Sequence, residues 1–303
     1  MTTVDINIKQ SVVARKYLSI FLELAKIRIT IFVAFTATIG YLLAAGVFNT
    51  QMLWATLGVF LLASGSSALN HLQESKYDAL MKRTMNRPIP SGDISSKGAL
   101  LYSMLLIGLG SIVLFAATNL MSLALGLITL VWYNVLYTPL KRKHSLAIIP
   151  GSLVGALPPV IGWAATGRSI FEPEILALAL FFFIWQIPHF WLLLLIHGEE
   201  YEGAGYPSLT KIFNKSQLSR ITYIWIIALA ISSFLIPFFS LSSSIITTIL
   251  LIMLGAYLAY GSREVITGFT SRLVIRKSFM LINIYVLLVV VLLALDKLLL
   301  TEI

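Results

Sequence analysis

Long apolar runs separated by short polar stretches dominate this chain. A transmembrane helix needs about 20 mostly apolar residues to cross about 30 Å of hydrocarbon, and nine runs approach that length. They lie at residues 28–46, 52–71, 99–118, 120–139, 147–166, 174–196, 221–240, 243–261 and 279–299. The weakest are 120–139, which ends in Tyr137, Thr138 and Pro139, and 243–261, which begins with a serine run. The pattern predicts an all-α integral membrane protein with a bundle of nine transmembrane helices.

Composition supports this interpretation and excludes several classes of protein. Hydrophobic residues make up 58% of the chain and charged residues 12%, with a mean hydropathy of +0.90, whereas a soluble domain carries about 25% charged residues. The chain has no cysteine, so disulfides, Cys-based zinc sites and thiolate nucleophiles are excluded. No separate soluble domain is visible. We expect one transmembrane domain over residues 1–303, with a short cytoplasmic tail at residues 1–25.

Basic residues are distributed unevenly between the polar stretches. Lys and Arg accumulate in cytoplasmic loops, and alternate stretches hold all of the 22 basic residues except Arg168 and Lys297. This predicts a multi-pass protein of the cell (plasma or inner) membrane, with its N-terminus in the cytoplasm and its C-terminus outside. The same asymmetry and the anionic lipid headgroups of the bilayer explain the net charge of +9. No nucleic-acid partner is expected.

Candidate chemistry is concentrated directly after the second run, in residues 70–91. If Asn70 through Lys82 stays helical, Asn70, Glu74 and Asp78 recur every four residues and their oxygens lie along one face. Mg²⁺ normally takes one or two carboxylates together with substrate phosphates, and basic side chains suit the phosphates. Four basic residues share the segment: Lys76, Lys82, Arg83 and Arg87. A solvated ladder of ion pairs would explain the pattern in a soluble helix, but the position beside a membrane favours a diphosphate site.

A second acidic cluster follows the sixth run, on the same predicted side of the membrane. It contains Glu199, Glu200 and Glu202. Acidic residues contribute little to topology, so the charge asymmetry does not explain this cluster, although a solvated surface remains an alternative. We expect the two acidic clusters to converge over the mouth of the bundle, each holding metal against one diphosphate.

Two basic clusters have two readings each. Lys26 and Arg28 precede the first run, and Lys141, Arg142 and Lys143 follow the fourth. The first cluster is explained either as an anchor that fixes the topology or by an Arg28 that faces a phosphate. The second is explained either as such an anchor or as a cationic wall over a phosphate.

The fifth and sixth runs contain helix-breaking and polar residues at membrane depth. Pro158 and Pro159 predict a kink, tolerated where a cavity or neighbouring helices satisfy the freed carbonyls. Gln186 and His189 flank Pro188; both are costly in lipid, so we expect them to face the bundle interior. A lone histidine there is more often a hydrogen-bonded packing residue than a ligand. The last three runs contain no comparable constellation.

These motifs resemble, in the same order, those of the UbiA superfamily of intramembrane prenyltransferases, in the form found in protohaem IX farnesyltransferases. The resemblance spans about Lys26 to Pro207. It is carried by Asn70-xxx-Glu74-xxx-Asp78-xx-Met81-x-Arg83-Thr84-xx-Arg87-Pro88, Tyr137-Thr-Pro-Leu-Lys-Arg142, Gly155-Ala-Leu-Pro-Pro159, Trp185-Gln-x-Pro-His-Phe190 and Glu200-Tyr-x-x-Ala-Gly205. The chain departs from the family pattern at four positions: Ile27 for Pro, Ala147 for Asn, Glu200 for Asp and Ser208 for Met.

The resemblance implies a nine-helix UbiA-type bundle with active-site loops on the cytoplasmic side. Such an enzyme condenses farnesyl diphosphate with protohaem IX (haem B), within the lipid bilayer, to give haem O for terminal oxidases. It also implies haem A synthase or terminal oxidase assembly as possible partners. The expected Mg²⁺ ligands are Asn70, Glu74, Asp78, Glu199 and Glu200, of which all but Glu199 are also expected to be catalytic. The expected diphosphate-binding residues are Arg28, Lys82, Arg83, Arg87, Lys141 and Arg142. His189 is expected to orient or ligate the haem.

Two alternatives remain at this stage. Another member of the same superfamily would use the same diphosphate machinery on a quinone precursor or other aromatic acceptor. A transporter would also have intramembrane prolines, but it would place its ionisable residues near mid-membrane, whereas here the acids cluster at one face.

Overall fold

The computed structural model of the protein describes residues 15–242, 244–267 and 271–299, and all regular structure in these ranges is helical. The helices are α1 (15–24), α2 (Ile27–Ala45), α3 (Thr50–Asp78), α4 (Ser96–Ala117), α5 (Leu120–Leu140), α6 (Ile148–Ala164), α7 (Pro173–Gly203), α8 (Lys215–Phe238), α9 (Ile245–Gly261) and α10 (Arg272–Leu299). Short 3₁₀ turns lie at Leu209–Lys211 and Arg263–Thr267. The all-α prediction is confirmed.

Seven of the described helices are long and apolar enough to cross a membrane: α2, α3, α4, α5, α7, α8 and α10. The two others that correspond to predicted runs, α6 and α9, are shorter apolar helices. Helix α6 is interrupted at Ser152. Helix α9 starts only after Ser244, whose hydroxyl accepts from the backbone N–H of Ile246, as expected for serine at a helix N-cap. By length, therefore, seven of the nine predicted runs qualify.

Three helices extend well beyond the predicted runs. Helix α3 continues to Asp78 and ends there, so Lys82 lies in the following turns and is not on the helical face that was predicted to continue. Helix α7 continues to Gly203, which places Glu199 and Glu200 in its last turns and not in a loop. Helix α10 begins at Arg272. Each extension carries polar residues past the apolar run, because a membrane helix does not need to end at the membrane surface.

Part of the predicted polar tail is folded. Ile20 and Leu24 of α1 are buried together with Ala68 of α3 and Ala99 of α4, and the hydroxyl of Tyr102 donates to a backbone oxygen of α1 over 3.2 Å. Residues 1–14 of the tail lie outside the described residues. The packing of α1 matters for the site because it fixes the turn that connects α1 to α2.

Helices α2 and α6 approach each other unusually closely. A Cβ atom built at Gly40 would lie 1.9 Å from the backbone oxygen of Pro159, and one at Gly162 would lie 1.8 Å from the backbone oxygen of Ala37. Small residues at such contacts are the usual means of packing helices in membranes. Glycine is therefore required at both positions to bring α6 against α2.

The two prolines of α6 free backbone acceptors beside a cavity. Pro158 and Pro159 lie within the helix and have no N–H to donate to the carbonyls four residues earlier. Those carbonyls belong to Val154 and Gly155, and both residues line the cavity described below. The two prolines therefore lie where a cavity borders the helix, which is one of the two settings in which the sequence predicts that they are tolerated.

Candidate active site

A cavity of about 810 Å³ lies between the helices. Its polar part is formed at one end of the bundle, by the turns around α2, α3 and α5 and by the segment after α7. Seven charged side chains line it: Lys26, Arg28, Arg83, Arg87 and Lys141, with Glu74 and Asp78. The remainder is lined largely by apolar and aromatic residues from within the helices, among them Phe32, Leu62 and Trp185. The cavity thus joins an electropositive region to an apolar chamber.

The three oxygen-bearing residues of α3 occupy the predicted face. Asn70, Glu74 and Asp78 all line the cavity, and they are 1%, 5% and 2% exposed. Spacing of four residues on a 3.6-residue helix keeps them on one side. Burial of two carboxylates is costly unless cations or hydrogen bonds compensate, so their partners define the site.

Glu74 is held by one cation and one phenol. Lys141 Nζ lies 2.6 Å from Glu74 Oε1, and the Tyr206 hydroxyl donates to the same oxygen over 3.0 Å. Burial, and then the nearby Glu74 carboxylate, raise the pKa of the Tyr206 phenol above its ordinary value, so this hydroxyl stays protonated and able to donate. The ion pair connects α3 with the turn after α5, and the phenol connects α3 with the segment after α7.

Asp78 is held by a single arginine. Arg87 Nη1 lies 2.9 Å from Oδ1 and 2.8 Å from Oδ2. The intervening turns are fixed by the Thr84 hydroxyl, which donates to the backbone oxygen of Asp78 over 2.8 Å, and Pro88 prevents the helix from resuming. A carboxylate at a helix C-terminus meets the negative end of the helix dipole, and the Arg87 guanidinium offsets that repulsion.

Asn70 connects three elements at the inner end of the row. Its Oδ1 accepts from Lys26 Nζ over 2.8 Å, and its Nδ2 donates to the Thr138 hydroxyl over 3.1 Å. Lys26 has a left-handed backbone, with φ of 49°, at the turn between α1 and α2. Desolvation lowers the pKa of its ammonium group to about 7. Lys26 therefore lies in the site, in direct contact with the row on α3.

A π-helical turn sets the position of the α5 residues. Trp132–Tyr137 adopts π geometry, and Asn134 within it is joined to α3 by four hydrogen bonds with Ser66 and Gln73. Single π turns occur frequently at functional sites because they rotate the residues that follow. Here the turn presents Tyr133 and Tyr137 to the cavity and places Lys141 against the row on α3.

The remaining predicted phosphate residues divide into two groups. Arg28 and Arg83 line the cavity, and Arg83 donates to the Tyr201 hydroxyl over 3.0 Å. Arg142 does not line it: the guanidinium stacks 4.9 Å from the centre of the Tyr77 ring and donates to a backbone oxygen of α3. Lys82 is exposed and also lies outside the lining.

The second acidic cluster does not line the cavity in this structure. Glu199 is exposed. Glu200 is partly buried, with Oε1 4.0 Å from His197 Nδ1 and with Oε2 buried and without a hydrogen-bond partner. From this segment the phenols of Tyr201 and Tyr206 reach the cavity, together with Pro207 and Leu209, and the two phenol rings lie 5.7 Å apart. The two segments therefore meet through phenols, and not through carboxylates as predicted.

No metal site complete in itself is present among the described residues: they contain no group of three His, Asp or Glu side chains arranged to hold an ion. The two carboxylates and one amide along α3 still fit Mg²⁺. This ion usually binds through one or two carboxylates while phosphate oxygens and water fill the other positions. The donor set therefore suits a metal that arrives with a diphosphate.

His189 lies on α7 in the chamber, as expected for a costly polar group in a membrane helix. It lines the cavity with Gln186, and its Nδ1 is 2.9 Å from Oδ1 of Asn283 on α10. Asn283 was not predicted, because a single amide in an apolar run forms no recognisable pattern. Tyr206 was missed for a similar reason, although Gly205 before it, with φ of +84°, marks the turn that directs it inward.

Comparisons with known sequences agree on one family. A sequence profile described as the UbiA prenyltransferase family matches residues 33–285. A relative in Geobacter sulfurreducens, called protoheme IX farnesyltransferase, is 40% identical over 220 residues, which cover 73% of this chain and 81% of the relative. One of the same name in Nitratidesulfovibrio vulgaris is 35% identical over 235 residues, covering 78% and 82% of the two chains.

Solved structures share the fold at low identity. The structure of a digeranylgeranylglyceryl phosphate synthase aligns with a TM-score of 0.75 at 18% identity, covering 93% of this chain and 98% of the other. A UbiA homolog from Archaeoglobus fulgidus, solved with GPP and Mg²⁺, aligns with a TM-score of 0.62 at 14% identity, covering 90% of this chain and 99% of the other. These likenesses concern the architecture.

Proposed function

The chain belongs to the UbiA prenyltransferase family, and from this premise we propose that it transfers the farnesyl group of farnesyl diphosphate to a vinyl group of protohaem IX, giving haem O. The observation that carries this proposal is one cavity that joins five basic side chains and two carboxylates to a large apolar chamber containing His189. The relatives named protoheme IX farnesyltransferase support this choice of acceptor.

The diphosphate would lie in the electropositive part of the cavity. Five basic side chains exceed the two carboxylates there, so the site carries surplus positive charge that a diphosphate would neutralise. Four of the predicted diphosphate-binding residues line this part of the cavity: Arg28, Arg83, Arg87 and Lys141. We add Lys26, which was not among the predicted diphosphate-binding residues and also lines it. Charge-assisted hydrogen bonds to an oxyanion strengthen as the carbon–oxygen bond breaks, so these residues would stabilise the leaving diphosphate.

Mg²⁺ would be bound jointly by the protein and the diphosphate. Asn70, Glu74 and Asp78 would supply the ligands on α3. Glu200 is the candidate from α7: its side chain does not line the cavity in this structure, but its Oε2 is buried without a hydrogen-bond partner, whereas Glu199 is exposed. When bound, the ion supplies neutralisation of phosphate charge. The Archaeoglobus fulgidus homolog of the same fold, solved with GPP and Mg²⁺, is consistent with this.

The chamber would hold the farnesyl chain and the vinyl group together and keep early water away. Ionisation breaks the bond between the allylic carbon and oxygen, and the electron pair leaves with the diphosphate. The vinyl π electrons then form the new carbon–carbon bond, and water adds to the resulting cation and loses a proton. Aromatic side chains such as Phe32, Tyr133 and Trp185 line the cavity and would shield the cation from premature capture.

The membrane arrangement completes the proposal. We place nine helices, α2 to α10, as spans of one transmembrane domain, with α6 and α9 as the short members, the N-terminus cytoplasmic and the charged end of the cavity facing the cytoplasm. The distribution of basic residues supports this orientation. The inner (plasma) membrane then supplies the prenyl donor from the bilayer, and haem A synthase or terminal oxidase assembly would receive the product.

The test is product formation by the purified full-length chain. Incubation with Mg²⁺, farnesyl diphosphate and protohaem is expected to give haem O, detected by mass spectrometry. Asp78→Asn should reduce its rate more than about tenfold, as loss of a metal-site group commonly does. Asp93→Asn is the matched control, because Asp93 lies outside the cavity lining and pairs with Lys16 over 2.9 Å. Prenylation of an aromatic acid without haem O would replace the proposed acceptor.

A further inference from the structure

The hydrogen bond between His189 and Asn283 links two helices inside the chamber. Both residues line the cavity, they are 94 residues apart in the chain, and Nδ1 of the histidine lies 2.9 Å from Oδ1 of the amide. Polar side chains at membrane depth cost free energy, and those that occur there usually have a function. The neighbouring contacts determine which of the two side chains donates the hydrogen.

The amide group has one orientation. Asn283 Nδ2 donates to the backbone oxygen of Phe279, one turn earlier in α10, over 2.6 Å. A backbone oxygen only accepts, so the amino group must face it and Oδ1 must face the histidine. An amide oxygen also only accepts. The proton in the bond between Asn283 and His189 therefore belongs to Nδ1.

The imidazole is then left with one free lone pair. An uncompensated imidazolium is disfavoured at membrane depth, and His189 has no carboxylate beside it in the described part of the chain. A neutral imidazole with Nδ1 protonated carries its lone pair on Nε2. Within the described residues Nε2 has no hydrogen-bond partner. The rings of Trp185 and Phe279, with centroids 5.0 and 4.8 Å away, restrict rotation of the imidazole.

We infer that Asn283 is a positioning residue, which holds His189 as the Nδ1–H tautomer so that Nε2 can ligate the iron of a metalloporphyrin acceptor. The inference rests on the proposed function and deepens it. Histidines that bind metals commonly donate their other N–H to a carbonyl or carboxylate oxygen, which orients the ring and raises its basicity as a ligand. Ligation at the iron would hold the porphyrin plane at one position in the chamber, and the chamber walls would set the rotation of its vinyl edge.

The test measures ligation of ferric protohaem by the full-length protein without farnesyl diphosphate. Optical and electron paramagnetic resonance spectra are expected to report a histidine-ligated iron in the wild type. His189→Ala should abolish that signature, and added imidazole should restore it. Asn283→Leu, of similar size but without an acceptor, should weaken haem binding by about 10–100-fold. Ile284→Leu, a half-exposed neighbour on α10, is the matched control.

Asn283→Asp separates positioning from a merely structural role. A carboxylate still accepts from Nδ1, so ligation should be retained. At alkaline pH, where the carboxyl group is ionised, its negative charge makes the imidazole a stronger donor and lowers the reduction potential of the bound iron relative to wild type. This second variant tests the inference if Asn283→Leu fails to fold. An unchanged spectrum and affinity in folded Asn283→Leu, or a reduction potential of Asn283→Asp that stays at the wild-type value throughout a pH titration, would overturn the inference.

Failure of the inference and failure of the proposed function give different results. If the wild type makes haem O but the Asn283 variants bind haem as it does, only the positioning role is wrong. If the wild type makes no haem O and prenylates a different acceptor, the proposed acceptor is wrong and the ligation inference falls with it.

Discussion

Replacing Gly40 by alanine tests the packing that shapes the chamber. The new Cβ would lie 1.9, 2.6 and 2.8 Å from the oxygen, carbon and Cα of Pro159. All three atoms are backbone, so no rotamer change relieves the overlap, and in a close-packed interior α2 and α6 must separate by more than about 1 Å. Overpacking of this kind costs about 1–3 kcal/mol, and alanine returns at most about 1 kcal/mol of helix propensity.

Gly108→Ala is the matched control, because a Cβ at Gly108 meets nothing within 4 Å. It should gain up to about 1 kcal/mol from helix propensity alone. We therefore expect the free energy of unfolding, measured by denaturant titration in mixed micelles with circular dichroism, to be lower for Gly40→Ala by about 1–3 kcal/mol relative to this control. The farnesyl transfer rate should fall as well, since displaced α6 residues line the cavity. Equal stability and equal rates in the two variants would refute the close-packing argument.

Three further predictions concern the chemistry. Tyr206→Phe keeps the ring but removes the hydroxyl that donates to Glu74. Because a hydrogen bond to a charged group contributes about 1.5–3 kcal/mol, the rate of farnesyl transfer should fall roughly tenfold or more. A wild-type rate would show that the phenol ring contributes only packing. Glu200→Gln should reduce the rate far more than Glu199→Gln does, in parallel rate assays at limiting Mg²⁺; equal effects would remove Glu200 from the proposed ligands. Chelation with EDTA should abolish product formation and added Mg²⁺ should restore it, whereas activity that survives exhaustive chelation would contradict the metal's role.

The sequence predicted the arrangement of the polar row on α3 better than it predicted which side chains contact that row. Helical spacing alone brings Asn70, Glu74 and Asp78 to one face, because periodicity is a local property of the chain. Which groups pair with them is a non-local outcome. The structure adds Lys26 and Tyr206 as partners. The basic cluster before the first run contains Lys26 but does not show that it contacts Asn70, and no local pattern identifies Tyr206.

Errors in the prediction also have local explanations. Hydropathy marks where a helix enters the apolar core and not where its hydrogen bonds end, so the prediction placed Glu200 in a loop although α7 continues to Gly203. The predicted helix extended to Lys82, but α3 ends at Asp78 and Lys82 is exposed in the turns that follow. The rotation introduced by the π turn at Trp132–Tyr137 has no simple sequence signal.

The sequence by itself determined the class of protein, the apolar runs, the acidic row and the family resemblance, because hydropathy, helical period and motif order are all written in consecutive residues. Tertiary structure alone decided that phenols and not carboxylates of the α7 segment reach the cavity, and that Asn283 meets His189. Such contacts depend on how helices are rotated and how closely glycines let them approach. Those quantities are set by packing over the whole bundle, which no short stretch of the chain encodes.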